Sequence, residues 1–205
     1  MNKVLSMNAA ASSTPVKILA FAGSLRKDSF NKRLVRIAAA GAKSAGAEVT
    51  VIDLADYPLP LFDQDLEAAS GMPEAGRKLK QLFIDHDALL IASPEYNSSI
   101  TAVLKNTIDW VSRTTEPGEP GLKALAGKTA AIIAASPGAL GGLRGLVHLR
   151  SILGNIQILV LPDQIAIPVA HEAFAPDGSL KDAKKQEAVN AIGRKLAETT
   201  AKLAR

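Results

Sequence analysis

Cysteine is absent from all 205 residues, which excludes disulfides, thiolate nucleophiles and Cys-ligated zinc or iron–sulfur centres. His86, His148 and His171 are the only histidines and lie scattered along the chain, so a His-rich metal site is not expected. Aromatics are scarce, with five Phe, two Tyr and one Trp, and the core must be aliphatic. No run reaches the ~18 apolar residues that a membrane span needs. The opening Met1-Asn2-Lys3-Val4-Leu5-Ser6 lacks the apolar region of a secretory signal, so a cytoplasmic protein without membrane contact is the expectation. The Gly-x-Ser-x-Gly elbow, a legible Ser-His-Asp set, the G-x-G-x-x-G fingerprint and the Gly-Lys-Ser/Thr of a P-loop are all missing. No basic run is interleaved with aromatics, which argues against a nucleic-acid partner.

What remains is a globular composition, 47% hydrophobic and 21% charged, in a length that suits one domain. The net charge of +4 conceals an uneven distribution. Residues 1–46 hold eight Lys/Arg against one acid, and residues 47–100 hold three against ten. A basic first third suits an anionic ligand such as a phosphate. Residues 1–15 are small and polar and read as a mobile tail, leaving 16–205 as the folded domain.

Short continuous apolar runs predict strands buried on both faces at Val16–Ala22, Val49–Ile52, Ala88–Ala92, Thr129–Ala134 and Gln157–Leu161. Helical spacing lies between them. Phe30, Leu34, Ile37, Ala38 and Ala42 form one stripe, with Lys32, Arg33, Arg36 and Lys43 opposite and Gly46 as the stop. Further helices begin at Pro73, at a Ser98 or Ser99 cap, near Gly142 and after Ser179. The one running from Gly142 to Gly154 is apolar on most sides, which suits burial or subunit contact. Strands alternating with helices imply right-handed crossovers and an α/β, doubly wound, five-stranded parallel sheet.

Ligands of such folds bind beyond the carboxyl ends of the strands, and three loops there are unusual. After the first strand comes Gly23-Ser24-Leu25-Arg26-Lys27-Asp28-Ser29-Phe30-Asn31, running straight into a helix. Gly23 permits a tight exit, Ser24, Ser29 and Asn31 are short donors, and Arg26 is a charged fork. With the helix N-terminus they can surround a phosphate dianion. The alternative is a plain Ser29 cap with Arg26 solvated. After the third strand, Pro94-Glu95-Tyr96-Asn97 offers a stiff turn, a flat aromatic face and an amide, suited to an aromatic ligand with polar edges. A helix cap with Tyr96 over the sheet edge is the alternative. After the fourth strand, Ser136-Pro137-Gly138 with Gly141 and Gly142 lets the backbone approach something closely, or forms a flexible turn. Asp63, Asp65 and Glu67 read as a solvated acidic turn, His148 as a packing or interface residue, and Trp110 as core or interface. His86 and His171 show no partner in the sequence.

These segments resemble the NAD(P)H-dependent FMN reductase family, a flavodoxin-like group that includes quinone and chromate reductases. The matching residues are Gly23-Ser24-Leu25-Arg26 through Ser29 and Asn31; Pro94-Glu95-Tyr96-Asn97 with Leu104-Lys105-Asn106 and Asp109-Trp110; and Ser136-Pro137-Gly138 with Gly141-Gly142 and Arg144. Leu59-Pro60-Leu61-Phe62 with Asp65 is similar to the loop after the family's second strand. The resemblance implies strand order 2-1-3-4-5 and non-covalent FMN. It places the FMN phosphate on Ser24, Arg26, Ser29 and Asn31, the ring and ribityl on Pro94 to Asn97, and the ring edge on Ser136 and Gly138. It also implies a homodimer or homotetramer with sites near subunit contacts.

The implied activity is transfer of a hydride from NADPH or NADH to FMN and on to a quinone or similar acceptor, in a ping-pong cycle. Chromate, azo and nitro compounds and free flavin belong to the same acceptor class. Because the cofactor carries such chemistry, no catalytic side chain is required of the protein. A flavodoxin-like electron carrier is the rival. Carriers of that type are acidic, and the pI near 9.3 favours the enzyme.

Overall fold

A computed structural model of the chain describes residues 14–203; apart from Thr14 and Pro15, the expected tail lies outside the described residues. The elements run β1 (Lys17–Ala22), α1 (Phe30–Ser44), β2 (Glu48–Ile52), α2 (Gln64–Ser70), α3 (Glu74–Ile84), β3 (Ala88–Ala92), α4 (Ala102–Val111), β4 (Thr129–Ala135), α5 (Leu143–Asn155), β5 (Leu159–Ile167), α6 (Ala170–Ala173) and α7 (Ala183–Leu203). All strand pairs are parallel, as the alternating pattern predicts, and the order is β2-β1-β3-β4-β5, as the family resemblance implies. The chain leaves β1 toward β2 and returns to the other side of β1 for β3. The carboxyl ends of β1 and β3 therefore flank the crevice where ligands of this architecture bind.

Alternation along the central strands divides the core between the faces. Ile18, Ala20, Ala22, Leu90 and Ile133 pack against α1 and α7, whereas Leu19, Phe21, Leu89, Ile91 and Ile132 pack against α3, α4 and α5. Each fully buried Leu, Ile or Phe contributes about 1.5–3 kcal/mol relative to exposure. No described helix is long and apolar enough to cross a membrane.

The boundaries differ from the sequence expectation in four places. β5 runs to Ile167 and not to Leu161, because a bulge between its pairings at Val160 and Gln164 absorbs Pro162 and Asp163. The cap of α4 is Thr101, whose Oγ1 accepts from Leu104 N at 3.3 Å; Ser98 and Ser99 are engaged in a hairpin. α7 begins at Ala183, after Asp182 Oδ1 accepts from the N–H groups of Lys184 and Lys185 at 2.9 and 3.1 Å. The acidic turn is helix α2, with Asp63 Oδ1 accepting from Asp65 N at 2.7 Å, and Glu67 pairs with Arg113 at 2.8 Å. Lys32, placed on the polar face of α1, is also buried and bonded to Asp53 at 2.6 Å.

Candidate active site

A pocket opens at the carboxyl ends of β1, β3 and β4, lined by Ser24, Arg26, Ser29, Phe30, Asn31, Pro94, Glu95, Tyr96, Ala135, Ser136 and Pro137. The β1 side carries its donors. Ser24 N–H donates to Ala22 O at 2.8 Å, turning the chain sharply, and Ser24 Oγ accepts from Arg26 N at 3.3 Å. Ser29 is buried at the N-cap of α1, yet its side chain makes no capping bond. The first backbone bond of α1 is Arg33 N to Ser29 O at 3.2 Å, so the preceding N–H groups have no partner within the helix. No acidic residue occupies the first turn to offset the positive helix end. Arg26 is exposed and, among the described residues, makes no ion pair.

Asn31 serves differently from the expectation of a free donor. Its Nδ2 donates to Ala135 O at 2.8 Å and its Oδ1 accepts from Ala135 N at 2.9 Å. The side chain thus acts as an extra rung that fixes the start of α1 to the end of β4. Thr101 does the same for β1 and α4, donating from Oγ1 to Gly23 O at 2.7 Å.

The β3 loop is a tight hairpin. Tyr96 N donates to Ser99 O at 2.9 Å and Ser99 N to Tyr96 O at 3.0 Å. Asn97 and Ser98 between them have φ of 51° and 67°, the pattern of a type I′ turn. Two non-glycine residues in the left-handed region cost about 1–2 kcal/mol each, a strain of the kind that gathers at functional sites. The hairpin leaves Tyr96 53% exposed beside the pocket.

Gly141 and Gly142, after β4, pack closely against the chain itself, whereas Gly138 stands open. A Cβ at Gly141, where φ is +64°, would lie 2.7 Å from Ile167 C and Pro168 N. One at Gly142 would meet Ala134 Cβ at 2.8 Å, and one at Gly138 meets only Ser136 Oγ at 3.7 Å. Of the predicted site residues, Ser24, Arg26, Ser29, Asn31, Pro94, Glu95, Tyr96 and Ser136 line the pocket. Gly23, Leu25, Asn97, Gly138 and Gly141 lie in the same loops without lining it.

The residues fit a mononucleotide. The pocket's free volume is about 60 Å³, roughly two water volumes, room for a group the size of a phosphate beside the exposed Tyr96.

The comparisons with known proteins agree with that geometry. The family model described as NADPH-dependent FMN reductase matches residues 16–172. The chain belongs to this family. The enzyme is 36% identical over 178 residues to an NAD(P)H-dependent FMN reductase of Pseudomonas aeruginosa, covering 86% of this chain and 91% of that one. It is 40% identical over 164 residues to a 2-hydroxy-1,4-benzoquinone reductase of a Burkholderia species, covering 80% and 84%. Among solved structures it resembles the flavoenzyme NAD(P)H:(acceptor) oxidoreductase FerB of Paracoccus denitrificans, with a TM-score of 0.76 and 30% identity over 91% of this chain and 98% of that one. The expectation of an oxidoreductase is borne out.

Other motif residues fasten the loop after β2. Asn106 donates from Nδ2 to Pro60 O at 2.9 Å and accepts from Phe62 N at 2.8 Å, and Trp110 Nε1 donates to Pro60 O at 2.8 Å. They lash the loop after β2 beside Leu25, where a second cleft of about 270 Å³ lies between Leu25, Tyr57, Leu59 and Val103. Trp110 is fully buried. Phe30 stacks on Phe174 with ring centroids 5.9 Å apart. Phe30, Ala135 and Pro137 line the pocket without having been singled out; nothing distinguishes them from core or turn residues in the sequence. His148 is exposed, with Nδ1 2.9 Å from Ser99 Oγ. His86 is buried between Leu82 O at 2.6 Å and Thr50 Oγ1 at 2.8 Å, far from the pocket in the fold.

Proposed function

We propose that the enzyme holds FMN non-covalently, with Ser24, Arg26, Ser29 and the α1 N-terminus on the phosphate and the Pro94–Asn97 hairpin and Ser136 at the ring. Bound flavin supplies the chemistry, accepting two electrons from NAD(P)H and passing them to a quinone or a similar small acceptor such as chromate, an azo or nitro compound, or free flavin. Because Tyr96 leaves the ring side open, donor and acceptor use the same space in turn, which makes the cycle ping-pong. The protein's task is to grip, orient and tune, and no side-chain acid or base is required of it.

The observation that carries this reading is the convergence of an unpaired Arg26, an uncapped helix start and an exposed aromatic at one crevice. The names of the quinone-reducing relatives support the acceptor class. Leu140, Leu143 and Val147 stand 52%, 42% and 59% exposed, an apolar surface that supports assembly as a homodimer or homotetramer. Residues 16–205 then form one FMN-binding unit, in a cytoplasmic setting.

The test is a visible spectrum of purified protein given FMN, followed by anaerobic titration with NADPH. Bound flavin that bleaches promptly is the expected result. Bound flavin that stays oxidised would return the carrier reading, and no bound flavin would remove the pocket assignment. Steady-state lines should run parallel; intersecting lines would overturn the ping-pong order.

A further inference from the structure

We propose that Glu95 and Arg144 are a positioning pair that holds the Tyr96 hairpin over the ring end of the pocket, an inference that rests on the FMN reading above. The sequence places Glu95 among residues that touch the cofactor, but its carboxylate is already engaged. Its side chain is 8% exposed. Oε1 accepts from Arg144 Nε at 2.8 Å and Nη2 at 2.6 Å, and Oε2 accepts from Gly145 N at 3.1 Å. One carboxylate therefore caps α5 and binds a side chain of its first turn. Burial alone would push the Glu95 carboxyl up; the Gly145 N–H and the Arg144 guanidinium outweigh it and hold the group below the usual range. Glu95 stays an acceptor with both oxygens taken.

The far end of the hairpin is fastened to the same helix. His148 Nδ1 lies 2.9 Å from Ser99 Oγ, one turn on from Arg144. A Cβ at Gly145 would be 3.3 Å from Ser99 O and 3.4 Å from Glu95 Cβ, so the helix start seats directly on the loop. Between the two fastenings stand the left-handed Asn97 and Ser98, a conformation that persists only where its surroundings over-determine it. The phosphate-end groups belong to a different loop. The two ends of the pocket are thus held by separate devices, and their contributions to binding should separate.

FMN and riboflavin titrations of the full chain, followed by flavin fluorescence, test this. Glu95→Gln and Arg144→Met should each weaken both ligands by the same factor, about tenfold for a lost charged hydrogen bond near the site. The double variant should be no worse than either single one, as coupled residues require, and Arg144→Lys should recover part of the loss. The visible spectrum of bound FMN should shift in these variants and stay unchanged in Arg26→Ala, which weakens FMN alone. Arg144 is 58% exposed, so its replacement opens no cavity, and Arg144→Met decides the matter even if Glu95→Gln folds poorly. Affinities within about twofold of wild type, or a loss confined to FMN, would overturn the pair's role while leaving the FMN reading intact. Wild-type protein that binds neither ligand would overturn the FMN reading instead.

Discussion

Lys80 and Arg26 are both cations of a basic protein, at opposite ends of its sheet. Lys80 lies on α3, which leads into the amino end of β3, and is 3% exposed. Its ammonium donates to Arg113 O at 2.7 Å and Thr115 Oγ1 at 3.3 Å and pairs with Glu119. Glu119 in turn accepts from Thr115 N at 2.8 Å. Lys80 first, with the Thr115 N–H, holds the Glu119 carboxyl down to about 2, against the opposing pull of burial. Arg26, at the carboxyl ends of the strands, has no such company. Where the fold only fastens a loop, every polar group is satisfied internally; where a ligand is expected, donors are left over. The difference separates a satisfied structural cation from the one proposed to bind more sharply than residue type does.

The largest expected effect lies at the structural end. Lys80→Ala strands the Glu119 carboxylate in a buried site and should cost about 3–5 kcal/mol, read by denaturant unfolding, while the folded fraction binds FMN as wild type does. Altered FMN affinity in that variant would break the comparison. The pair also sets an acid limb. Because the folded Glu119 carboxyl titrates near 2 and not at its ordinary 4.5, its contribution is complete above about pH 4.5 and is lost as pH falls through about 2. Acid-unfolding curves of the Lys80 variant should lack that component. Next in size is Gly141→Ala, which meets backbone at 2.7 Å in a left-handed conformation and should cost about 2 kcal/mol. Gly138→Ala, in open space, should be neutral in the same melting experiment. Arg26→Ala should cost about tenfold in FMN affinity, or about 1.4 kcal/mol, with riboflavin affinity and melting temperature unmoved.

How much of this was legible follows from where the information lies. β1, β3 and β4 are continuous apolar runs because helices cover both faces, and they were readable to within a residue or two. β5 is an edge strand carrying Pro162-Asp163-Gln164, so its apolar signal stops where the bulge begins. The cap of α4 was misplaced because Ser98 and Ser99 suit a cap as well as a turn, and only the hairpin bonds decide between them. Short donors after a strand suit a phosphate by chemistry alone, and the fold brings Ser24, Arg26 and Ser29 to one pocket. Glu95, Asn31 and Gly141 look equally suited to a ligand. Their true neighbours, Arg144, Ala135 and Ile167, are 49, 104 and 26 residues away and carry no local mark.

The grip of Asn31 on Ala135 bears on the order in which the molecule comes into being. The two residues are 104 apart in sequence, and Ala135 closes β4, which lies between β3 and β5 in the sheet. The start of α1 gains this support only when β4 is paired, and a chain without that pairing would offer flavin an unsupported loop. FMN should therefore leave refolding rates unchanged and slow unfolding, so that the cofactor guards the finished protein without guiding its making.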